Sequence, residues 1–337
     1  MLSRRSKQAL NKVRKKIFSV LERRLGDIEE LQQQDHDLLN ELIVEERQRD
    51  TNRRESILPI SEREVATRLF NDLIMYLDPN DIAVVPHIVF EGIWEREITV
   101  AWNRVLDGLK PKGSVVLDIG ANFGYFGLLT AAKLSKDDAK VILFEANPKL
   151  LPYINKSLSV NWLNENTTVE NLAISNTRGT AQLSVLADYV GSSSLHSVEF
   201  LKRTLEHKMH IAAQETVDVQ TVTVDEYCNA HDIHTVSLIK MDIEGYEEKA
   251  YAGMKRVIRK STDLVLFIEF TKDSYENPKL FYESMLTDFG HVYNIGSSGE
   301  LIVPSSSTYE DLIAPTRDWT MLVFSKRDLV RQTGRWQ

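Results

Sequence analysis

The sequence contains a single cysteine, Cys228, in 337 residues. A lone thiol closes no intrachain disulfide and builds no thiolate metal site, so an apolar core must hold the fold. A reducing compartment such as the cytoplasm fits that usage, and Cys228 itself reads as a small packing residue. No apolar run reaches the roughly 18 residues a membrane span needs. The opening residues also lack the apolar stretch of a secretory leader. Positive charge is in deficit: 41 Lys and Arg against 49 Asp and Glu leave a formal net charge of −8. Phosphate contacts need a basic face, so no nucleic-acid partner is expected. What remains is 42% hydrophobic and 27% charged. That composition supports an ordinary core, in one large domain with an appendage or in two modest ones.

Residues 1 to about 55 contain no proline and only one glycine, Gly26. They open with Arg4, Arg5, Lys7, Lys12, Arg14, Lys15 and Lys16, and turn acidic and glutamine-rich after Arg24. Leu10, Val13, Ile17, Leu21, Leu25, Ile28, Leu31, Leu38 and Leu42 recur at helical steps, interrupted at Asp35. The spacing predicts an amphipathic helix with a narrow, coiled-coil-like stripe. Three readings fit it: packing on its own domain or on a second copy, peripheral contact with a membrane surface, or an organelle-targeting peptide, since no acid precedes Glu22. A helical lead-in is expected over 56–110. "ISEREVATRLFNDLIMYL" would start at Ser61 with Glu64 closing a capping box. "DPNDIAVVP" would turn, and "EGIWEREITVAWNRVLDGL" would be a second helical segment.

From 111 to about 330 strand and helix patterns alternate. "SVVLDIG", "KVILFEA", "TTVENLAIS", "VSLIKMDIEG" and "DLVLFIEF" are apolar runs of the kind found in parallel strands covered on both faces. Helical segments such as "YFGLLTAAKLS" and "YEEKAYAGMKRVI" separate them. "TAQLSVL" and "VDVQTVTV" flank a loop-rich insertion, and "HVYNIG" with "TMLVFSKR" make a closing hairpin. The fold class is α/β, with a doubly wound, mostly parallel sheet.

In such sheets ligands bind beyond the carboxyl ends of the strands, at the point where strand order reverses. The first strand ends at Asp118 and leads through Gly120, Ala121, Asn122, Phe123 and Gly124 to a helix beginning at Tyr125. A nicotinamide fingerprint wants glycine where Asn122 and Tyr125 stand. An acid at the turn's entry also suits a cationic ligand better than a pyrophosphate. S-adenosylmethionine carries a sulfonium and an ammonium and no phosphate, so Asp118 is assigned to its methionine end. Glu145 closes the second strand, where two carboxylate oxygens meet both hydroxyls of a ribose. NAD enzymes place an acid there as well, so a nicotinamide-dependent oxidoreductase stays open at this point. So does the reading of Asp118 and Glu145 as solvated acids at strand ends.

"LDIGANFGYFGLLTA", "FEANP", "ENLAISNTRGTAQL" and "LIKMDIEGYEEKAYAGM", in this order over roughly 88–325, resemble the FkbM family of S-adenosylmethionine-dependent methyltransferases. The resemblance implies a Rossmann-like class I methyltransferase sheet of seven strands whose last hairpin is antiparallel. It implies cofactor roles for Asp118, Gly120, Asn122, Glu145 and the segment Asn171 to Ala173. It also implies methylation of hydroxyls on sugars and related metabolites, so a small-molecule or glycan acceptor. Where the family reads E-P-x-P after the second strand, Ala146 and Asn147 stand here.

Methyl transfer is an in-line displacement, and an alcohol acceptor must also lose its proton. "KMDIEG" delivers Lys240, Asp242 and Glu244 at alternating positions. Asp242 is the first candidate for the methionine end or the acceptor hydroxyl. Glu244 follows, and Lys240 either orients one of them or forms a loop-fixing ion pair with Glu244. Glu269 ends the next strand and is similarly placed. Asp242 with Glu244 or Glu269 offers oxygen ligands, yet nothing requires a metal. The N-P-P-Y motif of planar-amine methylation is absent, and carboxylates suit hydroxyls. His196, closing "YVGSSSLH", is a candidate general base or a surface loop residue. His207 and His210 have ligand spacing without an acid partner. Trp94 and Glu95 would cover the donor or pack, with packing preferred for Trp94. The rival from another class is an idle scaffold that oligomerises through residues 1–55.

Overall fold

In the computed structural model, residues 58–61, 64–109, 112–136, 138–186, 189–195, 214–313 and 319–330 are described. The helix expected over 1–55, and His196, His207 and His210, lie outside the described residues. The chain divides at Trp94/Glu95 into two compact units.

The first unit corrects the expected helical lead-in. Residues 58–77 form an antiparallel meander of β1 (Leu58–Ser61), β2 (Glu64–Arg68) and β3 (Ile74–Leu77). Ser61 pairs with Glu64 in the β1–β2 ladder instead of capping a helix. Val65 and Thr67 are β-branched and favour extended backbone. Asp72 takes φ 67° in the next turn, closed by the Leu69 amide on the Leu73 carbonyl at 2.8 Å. Helix α1 (Val84–Glu91) follows, and its first amides, Ala83 to Val85, fall on Asp81 Oδ1 at 2.8–3.3 Å. Gly92, at φ 66°, ends it, so the segment expected as one helix from residue 91 is interrupted there.

The second unit starts with α2 (Arg96–Asp107), β4 (Lys112–Ile119), α3 (Tyr125–Lys133), β5 (Asp138–Phe144), α4 (Leu151–Val160) and β6 (Thr167–Glu170). β7 (Ala173–Ile174), β8 (Gly179–Leu186), β9 (Tyr189–Ser194), β10 (Gln214–Val222) and α5 (Val224–Ala230) come next. β11 (Leu238–Met241), α6 (Glu247–Ala252), α7 (Lys255–Lys260), β12 (Val265–Phe270), α8 (Pro278–Phe289), β13 (His291–Ile295), β14 (Leu301–Ile302) and β15 (Thr320–Ser325) complete it. The main sheet has the order β14-β13-β15-β12-β11-β4-β5-β6. β12 through β6 run parallel, and β15 is antiparallel to both β12 and β13, as the closing hairpin requires. This is the doubly wound Rossmann-like sheet, with the two-residue β14 added to the seven strands expected. The chain leaves β4 toward β5 and β6 and returns to β11 on the other side, so strand order reverses between β4 and β11.

Cross-strand register sorts the side chains. Leu117, Ile119, Ile239, Met241, Leu266 and Ile268 face one core with Tyr251, Phe270, Phe281 and Tyr282. Asp118, Lys240 and Phe267 are register neighbours on the other face. Trp102 of α2 packs there, 5.8 Å from Phe126 and 5.1 Å from Phe267, and its Nε1 donates to Thr130 Oγ1 at 3.0 Å. The expected third strand breaks at Asn171 and Leu172: β6 stays in the main sheet and β7 enters a second one, ordered β7-β10-β8-β9. The flanks of the expected loop-rich insertion therefore pair directly, β8 against β10, over a small core of Ala173, Leu183, Val185 and Val219. Thr223 and Glu226 form the capping box of α5. Cys228 is buried, and burial pushes its thiol up to about 12, which suits packing. Among the described residues no helix is long and apolar enough to cross a membrane.

Candidate active site at the strand ends

The turn after β4 is built from left-handed backbone: Gly120 at φ 82°, Asn122 at 55° and Gly124 at 83°. Gly120 is fixed twice over, because a Cβ there would lie 1.9 Å from the Asp242 carbonyl oxygen. That close approach brings the loops after β4 and β11 together, and the Asp242 amide bonds the Ile119 carbonyl at 3.0 Å. The amides of Gly120 and Ala121 both donate to the Phe144 carbonyl at 3.0 Å, which ties the turn to β5.

Glu145 and Asp118 are not solvated strand-end acids: they are 6% and 2% exposed. The Glu145 oxygens, expected to be open, already accept backbone amides, Oε2 from Asn122 and Oε1 from Asn147, each at 2.7 Å. The Ala146 amide also bears on this carboxyl, and with about four acceptor sites on a carboxylate at least one remains for a further donor. Burial pushes this carboxyl up to about 7, against the pull of those amides. Asn171 Nδ2 donates to the carbonyls of Glu145 at 2.8 Å and Ala146 at 3.0 Å, fixing the loop after β5.

Behind the turn lies Lys240, its side chain 4% exposed. Its Nζ donates to Asp242 Oδ2 at 2.7 Å and sits 4.7 Å from the Phe126 ring centre. Burial alone would lower its pKa, but Asp242, Glu95 and Asp118 together raise it well above the ordinary lysine range. The ion pair that Lys240 makes here is with Asp242. The acids respond in kind. Burial pushes Asp118 up to about 6 and Glu95 up to about 7, each against the pull of Lys240. Glu95 Oε2 and Asp118 Oδ2 are buried atoms with no hydrogen-bond partner among the described residues. Such orphaned acceptors fit a ligand that brings N–H donors and positive charge.

A second clamp was not read from the sequence. Glu247, at the start of α6, is fully buried. Its Oε1 accepts from the amides of Ile243 at 2.9 Å and Gly245 at 3.3 Å, and its Oε2 from the Tyr275 hydroxyl at 3.0 Å. Burial pushes its carboxyl up to about 7. The loop it grips carries Glu244 in left-handed geometry, φ 54°, and Ser194 Oγ donates to the Glu244 carbonyl at 2.8 Å. Ser193 Oγ accepts from Asn147 Nδ2 at 3.2 Å, so the serine-rich β9 touches both loops. Glu269 is half-buried. Burial, then Asp242, Glu244, Glu247 and Glu95, hold its carboxyl well above the carboxylate range.

The structure thus brings Asp118, Gly120, Ala121, Asn122, Gly124, Glu145, Lys240, Asp242, Glu244 and Glu269 to adjacent strand ends. Two expected cofactor residues spend their side chains elsewhere. Tyr125 is buried, and its hydroxyl accepts from Thr99 Oγ1 at 3.3 Å. Ala173 gives its methyl to the small core of the second sheet, with Ala146 packed against it. Both retain only backbone groups for a ligand. Asn147, Glu247 and Tyr275 were missed. The visible signal for Glu247 was a second acid three residues past Glu244, at a helix start. Among the described residues no three His, Cys, Asp or Glu are set to hold a metal ion.

A family model described as a methyltransferase FkbM domain matches residues 118–295. No curated protein matches the chain. Among solved structures, a methyltransferase FkbM from Methylobacillus flagellatus is similar at TM-score 0.37 and 18% identity, over 64% of this chain and 44% of that one. The chain thus spans less than half the length of that relative. P. horikoshii TYW2 in complex with MeSAdo is similar at TM-score 0.38 and 12% identity, over 79% and 71% of the two chains. A precorrin-6y C5,15-methyltransferase from Geobacter metallireducens is similar at 0.34 and 12%, over 68% and 86%.

Proposed function

The chain belongs to the FkbM family of S-adenosylmethionine-dependent methyltransferases, and on that premise we propose that it methylates a hydroxyl of a sugar, a glycan or a related small metabolite. One observation carries the reading. Asp242, Glu244 and Glu269 crown neighbouring strands: burial and the acids around it raise the Glu269 carboxyl well above the carboxylate range, while Asp242 is ion-paired to Lys240. A neutral acid donates a hydrogen bond and a carboxylate accepts one, which together suit a polyhydroxylated acceptor.

S-adenosylmethionine, when bound, supplies an electrophilic methyl on a sulfonium. Asp118 and the backbone of the turn from Gly120 to Gly124 hold its methionine end. Glu145 takes the ribose hydroxyls at the acceptor sites that the Asn122 and Asn147 amides leave open. Ala121, Asn122, Tyr125, Ala146, Asn171 and Ala173 line the nucleoside side, Tyr125 and Ala173 through their backbone alone. On the acceptor side, Lys240 fixes Asp242 through Oδ2, and the other Asp242 oxygen takes the hydroxyl proton as the oxygen attacks. Glu269 donates to a neighbouring hydroxyl, and Glu244, set by the Glu247 clamp, closes the acceptor's other side. Holding nucleophile and methyl in line supplies much of the rate.

The test is methyl transfer from S-adenosylmethionine across a panel of free sugars, glycans and small alcohols, with the site of methylation read by mass spectrometry. Transfer to oxygen supports the reading. Transfer to nitrogen, or tight donor binding without turnover on any hydroxyl, overturns it, and the second result favours an idle scaffold.

A further inference from the structure

We propose that Glu95 is a binding residue for the methyl donor, its carboxylate taking the α-ammonium of the methionine portion beside Asp118. The inference rests on the reading that the cleft over β4 holds S-adenosylmethionine.

The position follows from packing. Thr99, in the first turn of α2, bonds Tyr125, which opens α3. Trp102 bonds Thr130 further along, and Asp107 at the end of α2 pairs with Lys133 at the end of α3 at 2.7 Å. The two helices therefore run side by side in the same direction. The first turn of α2 lies where α3 begins, directly after the glycine turn. Glu95 immediately precedes α2 and opens it, its carbonyl accepting the Thr99 amide at 2.8 Å.

Helix formation does not explain the side chain. The residue at this position usually caps the helix with a short oxygen-bearing side chain, but the Glu95 side chain makes no capping bond. Its backbone is left-handed, φ 43° and ψ 66°, an uncommon state for a residue other than glycine. The conformation accompanies a carboxylate that is desolvated, with Oε2 buried and unpartnered among the described residues. Lys240 pulls on this carboxylate, while Asp242 and Glu97 push against it. Lys240 is already committed to Asp242 at 2.7 Å, and it also faces Asp118. One lysine is shared by three acids, so their full ionisation leaves surplus negative charge in the pocket that a second cation would balance. The donor brings two cationic centres. The sulfonium has no hydrogen to give, whereas the ammonium has three N–H groups. The orphaned Glu95 Oε2, facing the same Lys240 as Asp118, therefore selects the ammonium.

The test compares two ligands by calorimetry on the full chain, wild type and Glu95→Gln. S-adenosylhomocysteine keeps the ammonium, and 5′-methylthioadenosine keeps the nucleoside but lacks the amino-acid portion. The substitution should weaken S-adenosylhomocysteine by about ten- to a hundredfold, the worth of one charge-assisted hydrogen bond, and leave 5′-methylthioadenosine within about twofold. Unchanged S-adenosylhomocysteine binding, or an equal loss for both ligands, overturns the assignment. If the wild type binds neither ligand, the donor-cleft reading itself fails, and that result is distinct from the other two. S-adenosylhomocysteine acetylated on its amine gives a second measurement. It should bind the wild type at least about tenfold more weakly, and Glu95→Gln should cost it nothing further. A further loss with the acetylated ligand also overturns the assignment.

Discussion

Replacing Asp118 by asparagine should make the ligand-free protein more stable and the donor site worse. Asp118 is 2% exposed, and burial pushes its carboxyl from 3.8 up to about 6, against the pull of Lys240 and the Gly127 amide. An acid raised in this way holds its proton more tightly folded than unfolded. Its contribution is intact below about 3.8 and is lost as pH rises through about 6. At about 1.4 kcal/mol for each tenfold, ionising Asp118 costs the native state about 3 kcal/mol above neutral pH. Asparagine is nearly isosteric, keeps an oxygen for the Gly127 amide and carries no charge to desolvate. Glu95, Glu145 and Glu247 titrate in both proteins and largely cancel in the difference. Asp118→Asn should therefore melt roughly 6–12 °C above the wild type at pH 8, taking about 2–4 °C per kcal/mol for a domain of this size. By the same linkage the advantage should shrink to about a third at pH 4.5. Calorimetry with S-adenosylhomocysteine should show about tenfold weaker binding or worse, since a charge-assisted partner is lost. Thermal melts at the two pH values with one titration check the whole chain of reasoning. A variant no more stable than wild type at pH 8, or an advantage independent of pH, would refute it.

Three further outcomes test neighbouring parts of the site. Gly120→Ala forces a Cβ against the Asp242 carbonyl at 1.9 Å and leaves alanine at φ 82°. The left-handed backbone alone costs about 1–2 kcal/mol, so urea unfolding should show at least that loss and titration should show donor binding abolished. Lys240→Met removes the buried cation that Asp242, Asp118 and Glu95 share. Breaking such a pair costs about 3–5 kcal/mol, and the loss should be larger at pH 8 than at pH 5, where the acids can take up protons instead. Glu247→Ala leaves the Ile243 and Gly245 amides without their acceptor. It should cost at least about 1–3 kcal/mol for the lost buried acceptor, and should lower kcat more than it weakens S-adenosylhomocysteine, because the loop it grips carries the acceptor-side acids.

The sheet was legible because its strands are buried on both faces. "VVLDI", "VILF", "LIKM" and "VLFIEF" leave no solvent side for a helix to expose, and each stops at a turn or an acid. The meander at 58–77 was not legible, because Val65 and Leu69 stand four apart and satisfy a helical stripe as well as a strand. What decides the matter is the turn at Asp72, and aspartate is a residue whose left-handed backbone leaves no mark in the sequence. The break in the third strand was hidden for a related reason. Leu172 continues the apolar pattern past Asn171, and only the pairing of Ala173 with Thr221 in the second sheet shows that the chain has changed partners.

The site was legible by position and opaque by role. Asp118, Glu145 and Asp242 each follow an apolar run, and strand ends are where such sheets bind ligands. Their identity as acids says nothing about which oxygens remain free. Glu145 and Glu247 each spend both oxygens on protein donors, holding the Gly120–Gly124 turn and the 243–245 loop in left-handed conformations that would otherwise leave backbone amides unpaired. Glu244 and Glu247 stand three residues apart in one motif, yet one is half-exposed on the loop and the other is sealed beneath it. A buried carboxylate is costly unless its acceptor sites are filled. Glu247, with its acceptor sites filled, braces the fold; Glu145 braces the turn and keeps acceptor capacity, and Asp118 Oδ2 and Glu95 Oε2 have no protein donor among the described residues. That distinction depends on which amides the fold brings within reach, so it emerges only after β4, β5, β11 and α2 have been assembled.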